Sequence, residues 1–136
     1  MLGYRVWSWS MEKRIYWKEK IEIAEEVLAS FFEIKDVIAT IRTPFSSESE
    51  GKSRKKGENE FSDASELLDR GYIVFERYQN KKDVFVKYNT LKYKFMATFG
   101  ADTEDIFSES NRILNSIFIS ARQLQLIIGK SKVLCQ

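Results

Sequence analysis

The sequence predicts an all-α fold, an antiparallel bundle, and three observations carry that expectation. The chain has one proline and six glycines in 136 residues, too few turn formers for a sheet protein. Apolar residues recur at three- and four-residue steps over stretches much longer than a strand. Aromatic residues make up 14% of the chain, a large apolar surface that a long helix cannot leave wet. Three long helices follow, at about 10–43, 62–99 and 103–128, in a single domain over 1–136 that dimerisation completes. The alternative is a four-helix bundle, with the second helix broken near 79–83.

The first nine residues form an aromatic arm, with Tyr4, Trp7 and Trp9 around Arg5, expected to pack on its own domain or on a partner chain. Tryptophan and tyrosine beside basic groups also suit a membrane interface, although Glu12 and Glu19 dilute the cationic character that follows. Ser10 is placed to cap the first helix, which ends before Pro44. Its buried stripe reads Trp17, Ile21, Ala24, Val27, Leu28, Phe31, Ile34, Ile38 and Ile41. Lys35 and Arg42 lie on the edge of that stripe, where Glu33, Asp36, Glu66 or Asp69 could pair with them.

From Thr43 to Glu60 the rhythm stops. TPFSSESEGKSRKKGENE mixes proline, serine, glycine and charges of both signs, so 44–60 reads as a polar loop, mobile at its centre. Lys52, Arg54, Lys55 and Lys56 form its basic cluster, with Arg42 near its root, and together they are the candidate anion contact. Glu48, Glu50, Glu58 and Glu60 neutralise the same loop, and no aromatic interleaves to stack on bases, which weighs against nucleic acid. Gly51-Lys52-Ser53 is no phosphate-cradling motif, because position 46 is serine where that motif needs glycine.

Ser62 or Asp63, with Glu66, opens the second helix much as a capping box does. Its stripe runs through Ala64, Leu67, Leu68, Val74, Phe75, Tyr78, Phe85, Tyr88, Leu91, Phe95 and Phe99. Asn80 to Asp83 interrupts it, either as a stutter in a continuous helix, which is the expected case, or as a break. Gly100 supplies a left-handed stop, and Asp102 or Thr103 caps the third helix. That helix has a main stripe of Ile106, Ile113, Leu114, Ile117, Ala121, Leu124 and Ile128, with Phe107, Phe118, Ile119, Leu126 and Ile127 pointing elsewhere. Such all-round apolar character asks for cover from a second chain. Gly129 is expected to release the tail.

Composition restricts the chemistry. There is no histidine, which removes the commonest general base and transition-metal ligand, and no cofactor is expected. One cysteine, Cys135, allows no intrachain disulfide, and the net charge of +2 is too small to steer polyanions. The opening MLGYRVWSWS is too short for a spanning helix and lacks a signal-peptide apolar core, so the expectation is a soluble, cytoplasmic protein.

Two segments, WKEKIEIAEEVLASFFEIKDVIATIRTPF from Trp17 to Phe45 and KYKFMATFG from Lys92 to Gly100, resemble a group of uncharacterised bacterial all-helical proteins. The likeness rests on helix-packing residues and on the turn Arg42-Thr43-Pro44-Phe45. It implies the fold and carries over no reaction and no functional residue.

The function expected from the sequence is a non-enzymatic helical module that self-associates, as a homodimer or higher homo-oligomer, and binds a protein partner. Ile119, Leu126, Ile127, Trp7 and Trp9 are the candidate contact residues. The alternative is a nucleic-acid or phosphate-binding accessory role for the basic loop. A remoter one is an all-α magnesium-dependent nucleotide pyrophosphatase, since Glu22 with Glu25 and Glu66 with Asp69 match the carboxylate spacing. Helical angles argue against that last reading, because the four carboxylates converge only if the core rotates outward.

Overall fold

The computed structural model describes the backbone from residue 2 to 133 and the side chains from residue 9 to 130. It is an all-α bundle. Helix α1 spans Leu2–Arg42, α2 Ser62–Asn80, α3 Lys82–Phe99 and α4 Glu104–Val133, with a 3-10 turn at Ala101–Thr103.

The second of the two alternatives for the middle helix is the observed one. At Lys81 the backbone leaves helical geometry (φ −113°, ψ 12°), and its N–H donates to the carbonyls of Gln79 and Tyr78. The polar run Asn80–Asp83 offers no apolar contact to hold this turn straight. The break is shallow, because the Tyr78 and Phe85 rings still meet across it at 4.9 Å. The antiparallel register against α1 also continues through it. Arg77 reaches Thr43, Lys87 reaches Glu33 and Lys94 reaches Glu26. Helices α2 and α3 therefore act as one bent rod.

Helix α4 runs back along that rod, with Phe118 against Phe75 and Tyr78 and Phe107 against Phe95 and Tyr88. Helices α1 and α4 are thus parallel to each other, and they meet where Phe31 stacks on Phe107 at 5.3 Å. The core comprises Val27, Ile34, Val37 and Ile41 of α1, Phe85, Tyr88 and Leu91 of α3, and Phe107 and Leu114 of α4.

Several sequence boundaries move. Helix α1 begins at Leu2, so the arm is helical and Ser10 lies inside the helix. No side chain caps α2, whose N-cap is Phe61. Gly100 has the expected positive φ, +115°, and its carbonyl accepts from the Thr103 hydroxyl at 2.6 Å. Gly129 does not end α4, which continues to Val133. Nothing lies near Gly129, so the missing side chain leaves no gap to fill.

The expected stripe of α4 is rotated. Phe107, placed outside the stripe, is 0% exposed, while Ile106, Ile113 and Leu124 are exposed. The aromatic rings win the interior because Phe31, Tyr88 and Phe95 already build a ring cluster that another ring completes. On α1, likewise, Trp17, Ile21 and Leu28 are exposed and Val37 takes an interior place.

Candidate functional site

Two features stand out, a polar strap over α2 and an uncovered apolar surface on α1 and α4. The strap is the segment 43–61. Expected to be mobile at its centre, it is laid down against α2 by three ionic or hydrogen-bonded anchors, at Asp69, Glu76 and Arg77.

Arg54 makes the innermost of these. Its Nε donates to Asp69 Oδ1 at 2.8 Å and its Nη1 to Glu60 Oε2 at 3.0 Å, with Nη2 directed at Glu60 Oε1. The Arg54 side chain is 12% exposed and that of Asp69 4%. Enclosure at that level requires a paired guanidinium, whose planar fork serves two carboxylates at once. Lys52 and Lys56 stand further off, each 3.8 Å from Asp69 Oδ2.

Arg77 is the second anchor. It clasps Glu50 through Nε at 2.8 Å and Nη2 at 3.1 Å. Its Nη1 also donates to the carbonyls of Thr40, Ile41 and Thr43, and its Nη2 to that of Phe45. The last carbonyls of a helix have no partner of their own, so Arg77 caps α1 from the neighbouring helix. Glu76 beside it accepts from the Gly51 N–H and from the Ser53 hydroxyl. Gly51 is buried with φ +82°, and a Cβ there would lie 2.2 Å from the Asp69 carbonyl oxygen.

These contacts set the electrostatics. The hydrogen bond from Arg77 holds the Glu50 carboxyl at about 2, and the one from Arg54 does the same for Glu60. Glu76 is lowered as well, chiefly by the Gly51 N–H.

A groove of about 1140 Å3 lies between the strap and α2. Its lining holds five basic and five acidic residues, so it presents no net positive field to an anion. Arg54 is consumed by Glu60 and Asp69, Lys52 and Lys56 face Asp69, and Lys55 and Arg42 are exposed, Arg42 on the lining of the same groove. Among the described residues Arg42 and Lys35 form no ion pair with the expected rim carboxylates, of which Asp69 serves Arg54, Glu66 serves Arg70 and Glu33 serves Lys87.

The carboxylate quartet does not assemble either. Glu22 and Glu25 sit on α1 near the level of Lys94 and the end of α3, whereas Asp69 lies beneath the strap at the other end of the molecule. Among the described residues no group of His, Cys, Asp or Glu could hold a metal ion. Sequence reasoning missed Glu76 and Arg77. The available signal was a charged pair set inside the run Tyr72–Tyr78, where every other residue is apolar or aromatic.

The apolar surface follows one seam. Helices α1 and α4 touch at Phe31 and Phe107. At 3.6 residues per turn, Leu28 on α1 and Ile106 and Ile113 on α4 fall on the flanks bordering that contact. All three are exposed, as are Phe32 and Leu124. Of the contact residues expected from the sequence, Ile119, Leu126, Ile127 and Trp9 are exposed too, and the side chain of Trp7 lies outside the described residues. Ile119 and Leu126 sit roughly opposite the α4 core line of Phe107, Leu114 and Ala121.

No family model, curated protein or solved structure matches the chain. Among the described residues no helix is long and apolar enough to cross a membrane.

Proposed function

We propose that this chain is a non-enzymatic helical interaction module that associates with itself and with a partner protein through the helix faces its own bundle leaves uncovered. The observation that carries the reading is the open seam between the parallel helices α1 and α4, bordered by Leu28 (56% exposed), Ile106 and Ile113. Two parallel helices with apolar flanks leave a slot shaped for one more helix, the way four-helix bundles are filled. Contiguous apolar surface of this kind is typical of protein contacts. The absence of histidine from the whole sequence supports a binding role over acid–base chemistry.

Sedimentation equilibrium at micromolar concentration tests it. A dimer or larger species is expected, weakened when Leu28 and Ile113 are both changed to glutamate. A monodisperse monomer across the concentration range removes the self-association on which this function rests.

A further inference from the structure

We infer that two copies pair through the first half of α1, lying antiparallel about a two-fold axis level with residues 19 and 20. This rests on the self-association proposed above and adds a second surface to the α1–α4 seam, with Leu28 shared by both.

From Trp9 to Glu19, α1 has little cover in its own protomer. The Lys20 ammonium sits 5.4 Å from the ring of Phe99, the last residue of α3, so α1 ahead of Lys20 runs past the end of that helix. On the other side α4 starts at Glu104, and Phe107 already meets Phe31. Yet this overhang is not a polar spacer. Met11, Ile15 and Trp17 are exposed on it, and Ile21 and Leu28 continue the exposed line beyond it.

One face of that segment has the spacing of a helix–helix seam. Met11, Arg14, Lys18, Ile21, Glu25 and Leu28 follow each other at steps of three and four, and all are exposed. The line lies roughly opposite to Val27 and Ile34, which face the protomer's own core. A shallow groove of about 620 Å3 runs along it from Lys13 to Glu25.

The order of residues on this face identifies a second copy as the occupant. Reversed end for end, the line falls on itself, with Met11 opposite the partner's Leu28, Arg14 opposite the partner's Glu25 and Lys18 opposite the partner's Ile21. Each pair is centred on the same point between residues 19 and 20. Glu22, now 3.8 Å from Lys18 of its own helix, becomes available to the partner's Lys18. Cations lie on one side of the axis and carboxylates on the other, so every charged contact is made twice with opposite sign, as an isologous interface requires. Parallel pairing would set Arg14 on the partner's Arg14 and Glu25 on the partner's Glu25, which like-charge repulsion opposes.

The test is a pair of charge reversals at exposed positions, Arg14→Glu/Lys18→Glu and Glu22→Lys/Glu25→Lys, with helicity followed by circular dichroism. Each variant alone should associate at least about tenfold more weakly than the unmodified chain. An equimolar mixture should recover a heterodimer, because each variant then meets the sign it lacks. If both variants dimerise like the unmodified chain, or the mixture gains nothing, this surface is wrong while self-association through another face stands. If the unmodified chain is monomeric, both proposals fall. Monomers that co-sediment with phosphatidylglycerol vesicles would assign the face to a lipid surface and overturn the pairing.

Discussion

Arg54 Nε lies 2.8 Å from Asp69 Oδ1, joining the middle of the strap to a buried carboxylate on α2. Separating such a pair leaves one charge enclosed without its partner, a cost that typically exceeds what the intact pair contributes. Arg54→Ala is expected to destabilise the fold by about 3 kcal/mol. Asp69→Ala should cost less, because Arg54 retains Glu60. Chemical denaturation of the two single variants and the double one measures this, and additive losses would show that the residues do not act together.

Gly51 is the tightest point of the strap. Its φ of +82° and the 2.2 Å approach of a Cβ to the Asp69 carbonyl oxygen leave no room for alanine. Gly51→Ala combines left-handed strain with a backbone clash, for a loss of roughly 2–4 kcal/mol. Gly57→Ala, where the nearest atom to a Cβ is 3.8 Å away, is the control and should shift thermal unfolding little.

The strap should respond to acid. Glu50 and Glu60 have pKa values depressed from 4.5 to about 2, so the unfolded chain takes up their protons first. The stability they provide is complete above about pH 4.5 and is lost as pH falls toward 2. Hydrogen exchange should show amides in 44–60 losing protection over that interval, ahead of those in the centre of α3. Glu50→Gln should weaken protection at neutral pH and flatten the response.

The rotation of α4 has a mutational signature. Phe107 is fully enclosed among Phe31, Tyr88 and Phe95, so Phe107→Ala should cost about 3–5 kcal/mol. Ile119→Ala, on the exposed side, should stay within about 0.5 kcal/mol in the monomer. Similar losses at both sites would contradict the observed rotation.

Much of the architecture was legible from pattern. The step of three and four located the helical stretches, Gly100 marked a true stop, and the polar run at 79–83 marked the place of the bend, though continuity was the expected outcome there and α1 and α4 extend beyond their expected ends. The interior face of α4 was not legible. A helix with apolar residues on most of its circumference carries several equally good stripes, and spacing alone does not rank Ile106 and Ile113 against Phe107. The contacts of the strap were not legible for a related reason. Composition counts charges without saying which will meet, so a neutral, glycine-flanked segment looked solvated.

The sequence by itself determined that the chain is helical, where its helices turn, and that it holds more apolar residues than three rods can cover, because all three properties are local or additive. Only the tertiary structure decided which of those residues stay uncovered and which cations are consumed. Arg54 finds Asp69 and Arg77 finds the end of α1 only after the chain has folded back, and a pairing between distant segments leaves no trace in the spacing of either one.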